Sequence, residues 1–121
     1  PDHCIQACTE AAFHPALQTD RADAIIRKGM NPAVDSYCAF FENDKITTTG
    51  LAGLLKARGC LDLTFVGLAT DYCVAWSARD GAAQGFAVTV ALTACRAIDL
   101  DASLDTALDD MRAAGIRLVT R

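Results

Sequence analysis

No apolar stretch in this chain approaches the roughly 18 residues that a membrane-spanning helix needs, which argues against a bilayer span. Basic charge is also scarce. Eleven Lys and Arg face fifteen Asp and Glu for a formal net charge of −4, and the basic residues are scattered. Without a basic stripe there is nothing to track a phosphate backbone, so nucleic acid is not an expected partner. The cysteines Cys4, Cys8, Cys38, Cys60, Cys73 and Cys95 form no C-x-x-C pair. Cys4 and Cys8 come near zinc-ligand spacing but have no second half. The opening Pro1-Asp2-His3 has neither the basic nor the apolar region of a secretory leader. Most of the cysteines therefore read as free thiols of a reducing cytoplasm. No internal repeat or low-complexity tract is present.

What the chain does have is apolar material in quantity. Hydrophobic residues make up 52 % of 121 residues and charged residues 21 %, enough for one globular domain with a real core. Short β-prone runs alternate with helical patterns. Asp23–Arg27 is a strand candidate ending at Lys28-Gly29. Thr47 to Arg58 predicts a helix with Thr48 or Thr49 as cap, Leu51, Leu54 and Leu55 on one face, and Gly59 as stop. Strand Leu63–Val66, helix Asp71–Gln84 with Gly85 as stop, and strand Ala87–Ala91 follow. A last helix from about Ser103 to Ala114, closed by Gly115, leads to strand Ile116–Val119. Helices between apolar strands predict right-handed βαβ crossovers and a mainly parallel sheet in a three-layer α/β fold. Residues 1–22 fit this scheme badly, since they hold no central first strand. The chain reads as amino-terminally incomplete.

The densest chemical signal is Leu63 to Trp76, LTFVGLATDYCVAW. A β-branched and aromatic run ends at Gly67, Thr70 or Asp71 is placed to cap the next helix, and Cys73 falls in its first turn. Unpaired N–H groups and the helix dipole favour a thiolate there. A small cysteine on a core helix has the same pattern.

The segments PDHC, KG, VDSYCAFF, VGLATDYCV, GFAVTV and ACRAI occur in this order along the whole chain. In that order they resemble the nicotinamidase branch of the isochorismatase-like cysteine hydrolases. The match is to the carboxy-terminal part of that family's single domain, here residues 1–121. The resemblance implies a sheet of about six strands in the complete domain. It also implies several tens of residues upstream that carry the first strands, the catalytic aspartate and further metal ligands.

By the same resemblance Cys73 is the nucleophile, and Lys28 is the catalytic lysine that stabilises the thiolate and the transition state. Read from the residues alone, Lys28 lies either at the carboxyl edge of a parallel strand, where such sheets build sites, or in a surface loop. His3 matches the metal-binding histidine of the family's W-P-x-H-C segment, and its imidazole suits divalent zinc, iron or manganese. Without the resemblance, one histidine beside a cysteine is more often a satisfied loop residue than a ligand. His14, between an apolar run and Pro15, reads as structural. The backbone N–H groups of Ala69 and Cys73 match the oxyanion hole, with a cis Leu68–Ala69 peptide. Asp71 reads as a helix cap without a chemical role.

Tyr37 and Phe40 fit an aromatic wall for a flat ring, with core packing as the other reading of Phe40. Cys38 stands where the family's DSYSAF has serine, which bears on fine substrate preference rather than on the reaction. The expected function is hydrolysis of nicotinamide to nicotinate and ammonia through a thioester, in NAD salvage. Another small amide or carbamoyl substrate is the alternative, as is a catalytically silent fragment or one part of a two-piece assembly. Lacking the aspartate, the chain alone is expected to be inactive. The expected partners are a small-molecule amide, the missing amino-terminal segment and possible further copies of the chain.

Overall fold

The structure, a computed structural model, describes residues 3–120, so Pro1 and Asp2 of the PDHC segment lie outside it. Three strands form one parallel sheet in the order β1 (Asp62–Leu68), β2 (Ala87–Arg96), β3 (Arg117–Val119). Helix α1 (Leu51–Ala57) precedes β1, α2 (Ala75–Ala83) connects β1 to β2, and α3 (Ser103–Ala113) connects β2 to β3. This is the α/β alternation expected from the sequence. All three helices end as their glycines predict. The N–H groups of Cys60, Phe86 and Ile116 donate back to Leu55, Gly81 and Met111, the Schellman pattern. The residue between, Gly59, Gly85 or Gly115, adopts positive φ.

Strand β1 alternates strictly in exposure. Leu63 and Phe65 pack against the core, whereas Thr64, Val66 and Leu68 are exposed. From β2 the core takes Val88, Val90 and Cys95, and from α2 and α3 it takes Ala75, Ala78, Ala107 and Met111. The pairing register shifts between Phe65 and Gly67, which meet Val90 and Cys95. Strand β2 therefore carries an irregularity over the intervening residues, next to the end of β1 where the chain turns toward Cys73.

The strand expected at Asp23–Arg27 is not formed. The segment is extended without a ladder partner among the described residues, and Ile25 and Ile26 are 52 % and 39 % exposed. A β-prone run becomes a strand only when a neighbour takes its N–H and C=O groups. Helix α1 also starts later than expected, after Gly50, with Thr49 Oγ1 accepting from Leu51 N at 3.3 Å. No helix among the described residues is long and apolar enough to cross a membrane.

Candidate active site

The chain leaves β1 through a cis Leu68–Ala69 peptide and enters a π-helical turn, Thr70–Val74, that runs directly into α2. The turn closes when Val74 N–H donates to Ala69 O at 3.0 Å, five residues back. Such wide turns cluster at functional positions because they re-aim a side chain without ending the helix. Cys73 lies in this one, half-buried, with Ala69 at its start.

Neither Thr70 nor Asp71 caps the turn, for no side-chain cap bond is made. Asp71 is buried and serves the far end of β2 instead. Its carboxylate accepts from Ile98 N at 3.1 Å, Asp99 N at 2.7 Å and Ser103 Oγ at 2.6 Å. Three converging donors outbid one capping N–H. Burial by itself would raise this carboxyl, but the Ser103 hydroxyl and the two N–H groups hold it below the usual aspartate value.

Lys28 comes to the turn from the extended segment. Its Nζ donates to the Ser36 carbonyl and lies 3.8 Å from Cys73 Sγ. The neighbouring Gly29 has φ 67° and donates its N–H to both oxygens of Glu42, at 3.0 and 3.3 Å. Glu42 is 5 % exposed, a buried carboxylate that anchors the backbone beside the lysine. Of the two placements open to Lys28 from the residues, it is a loop and not a strand edge that positions it among the described residues.

Tyr37 packs edge-on against Tyr72 and Trp76, with ring centroids 5.9 and 5.5 Å apart. Tyr72 precedes Cys73 and Trp76 follows it by three residues, so this aromatic cluster is built on the same turn and helix as the cysteine. Phe40 is elsewhere. At 1 % exposure it stacks on Phe86 and meets Phe65 edge-on, so of its two readings the packing one describes its surroundings. Cys38 is also buried and accepts from Phe40 N at 3.2 Å. Burial, followed by the adjacent Asp80, pushes its thiol up, which suits a packing cysteine rather than a reactive one.

His14 Nδ1 accepts from Ala16 N at 3.2 Å, a local loop role. His3 is exposed. Among the described residues no group of three or more His, Cys, Asp or Glu is gathered so as to hold a metal ion. These residues offer His3 as a single imidazole donor and do not make up a metal centre among themselves. A surface groove lined by Lys45, Trp76, Arg79 and Asp80 excludes both Cys73 and Lys28. The Lys45–Asp80 ion pair, at 2.7 Å, occupies it.

Four residues on the segments that carry Cys73 and Lys28 or hold them in place bear no distinguishing sequence signal. Tyr72 and Trp76 form an aromatic pair at helical spacing that also fits a core stripe. Glu42 looks like a surface carboxylate in a polar run. Ser77 lies on α2 four residues after Cys73, and its hydroxyl donates to Cys73 O at 2.6 Å and accepts from Ala39 N at 2.8 Å.

Comparison with known families matches residues 1–121 to the isochorismatase domain. The nicotinamidase of Acinetobacter baylyi is 47 % identical over 120 residues, which cover 99 % of this chain and 56 % of the relative. Two solved structures superpose closely. One is PnC1 from L. infantum in complex with nicotinate, with TM-score 0.93 and 38 % identity over 98 % of this chain and 59 % of the other. The second is the pyrazinamidase of Pyrococcus horikoshii in complex with zinc, with TM-score 0.82 and 30 % identity over all of this chain and 63 % of the other. The chain thus spans little more than half the length of the curated relative it matches.

Proposed function

The chain belongs to the isochorismatase domain family, and on that membership we propose that it carries the nucleophile half of a cysteine amidohydrolase acting on nicotinamide. The observation that carries the reading is the approach of Lys28 Nζ to Cys73 Sγ, 3.8 Å across 45 residues of sequence. A cation beside a thiol at a helix start favours the thiolate and the negative charge that develops after attack.

In this reading Cys73 Sγ attacks the carboxamide carbon, and the carbon–oxygen π pair moves onto oxygen. The N–H groups of Ala69 and Cys73 receive that oxyanion. The amide nitrogen takes up a proton, and collapse then expels it as ammonia and leaves a thioester on Cys73. Water then adds to the thioester, the carbon–sulfur bond breaks to return the thiolate, and the two protons lost from the water leave nicotinate. The proton transfers are assigned to the aspartate that the family resemblance puts upstream. For that reason the 121-residue chain alone is expected not to turn over. Tyr37, with Tyr72 and Trp76 behind it, supplies an aromatic face for the pyridine ring.

His3 is proposed as one donor to a divalent metal, in line with the zinc held by the Pyrococcus relative. When bound, such an ion would supply positive charge near the substrate ring. Which ion it is, and a cytoplasmic location with a role in NAD salvage, belong to the same proposal.

The test is ammonia release from nicotinamide by the full-length protein, alongside pyrazinamide and a panel of small aliphatic amides and carbamoyl compounds. Nicotinamide should be turned over fastest, and Cys73→Ala should release no ammonia from any of them. Retained turnover in Cys73→Ala would overturn the mechanism, and preference for a non-aromatic amide would overturn the substrate.

A further inference from the structure

Among the described residues Ser77 is one of four buried polar or charged ones, at 4 % exposure, and its hydroxyl is used twice. It donates to Cys73 O at 2.6 Å and accepts from Ala39 N at 2.8 Å, across 38 residues of sequence. A serine that bonds the carbonyl four residues back is common in helices and by itself means little. Here the carbonyl belongs to the nucleophile, inside a π-helical turn, and the same oxygen holds the backbone of a second segment. That second segment contains Ser36, whose carbonyl takes the Lys28 ammonium, and Tyr37, whose ring meets Tyr72 and Trp76. It is closed on its other side by Tyr37 N donating to Asn43 Oδ1 at 3.0 Å and Thr49 Oγ1 donating to Ala39 O at 2.6 Å.

We propose that Ser77 is a positioning residue. Its hydroxyl pins the Cys73 turn to the loop carrying the Lys28 anchor and Tyr37, and so sets the distance between thiol and ammonium. The proposal rests on the reading of Cys73 and Lys28 as the catalytic pair. Without the hydroxyl, the half-buried Ala39 N–H loses its acceptor and the two segments are no longer joined at the Cys73 backbone. Threonine keeps the hydroxyl; alanine and valine do not.

The experiment compares Ser77→Ala and Ser77→Thr in the full-length protein by two readouts. The first is the rate at which iodoacetamide alkylates Cys73, followed by mass spectrometry of its peptide with exposed Cys60 as internal reference. The second is kcat and KM for nicotinamide. Misplacing a reacting group by about 1 Å costs up to about 100-fold, so Ser77→Ala should lower kcat at least about tenfold with KM within about threefold. Cys73 alkylation should slow relative to Cys60, and Ser77→Thr should restore both readouts. Unchanged Cys73 alkylation and kcat in a folded Ser77→Ala protein overturns the proposal, as does failure of threonine to restore them. Should alanine not fold, Ser77→Val is read against Ser77→Thr, a pair alike in shape and different in the hydroxyl. If the wild type releases no ammonia, the nicotinamide reading fails, and the alkylation comparison still decides the role of Ser77.

Discussion

Lys28 and Cys73 are 45 residues apart in sequence, and the ammonium nitrogen lies 3.8 Å from the sulfur. The lysine reaches that place from a loop whose backbone is held at the next residue, Gly29, by the buried carboxylate of Glu42. The cysteine reaches it from a π-helical turn at the end of a strand. Two unrelated pieces of local structure therefore converge on one pair of atoms.

Replacing Lys28 removes the cation and leaves the thiol. Lys28→Met should lower kcat/KM for nicotinamide by about 100-fold or more, the usual cost of losing one group that stabilises the developing charge. Steady-state ammonia release checks this. A loss smaller than about fivefold would show that the ammonium does not act in the rate-limiting step.

Asp71 links the nucleophile turn to the loop before α3. Its folded-state value is lower than the unfolded one, because the bonds from Ser103, Ile98 and Asp99 outweigh its burial. The stabilisation is therefore fully present above the unfolded-state value of about 3.9 and is lost as pH falls below that through the lower folded value. Asp71→Asn should cost about 2 kcal/mol at neutral pH, the scale of hydrogen bonds to a charged group. The gap between variant and wild type in urea unfolding should narrow below about pH 4. A gap that stays constant down to pH 3 would count against the ionised carboxylate as its source.

Phe40 and Tyr37 separate packing from substrate contact. Phe40→Ala empties a site that is 1 % exposed and should cost about 3–5 kcal/mol in denaturant unfolding. The folded fraction should keep a KM for nicotinamide close to that of wild type. Tyr37→Ala should do the reverse, with a raised KM and a smaller loss of stability. An exchange of these two phenotypes would return Phe40 to the substrate wall.

His3→Ala tests the metal donor without relying on turnover. Full-length protein passed through a desalting column should hold less zinc, iron or manganese than wild type when metal content is measured by mass spectrometry. Equal content in both would remove His3 from the ligand set.

Much of the architecture was legible in the residues. The three helix stops at Gly59, Gly85 and Gly115 and the three strands that follow them are local matters. A glycine at positive φ after an amphipathic run ends a helix whatever surrounds it, and a β-branched run after it starts a strand. Cys73 could be singled out for the same reason, since its place just after a strand is written in consecutive residues.

What tertiary structure decided was every relationship between distant segments. Ile25-Ile26 has the composition of a strand, yet strand formation depends on a partner outside the run itself. Asp71 has the position of a cap, but its carboxylate is taken by donors from Ile98, Asp99 and Ser103. Phe40 and Tyr37 sit three residues apart in one motif, and packing sent one to the core and the other to Tyr72 and Trp76. The bonds of Ser77 to Ala39 and of Glu42 to Gly29 carry no local signal, because a hydrogen bond across 38 or 13 residues leaves no periodicity. The sequence by itself determined which residue could become a nucleophile. Only the folded chain decided which hydroxyl and which carboxylate hold the segments that meet at it, since those contacts depend on how separate segments satisfy one another's polar groups.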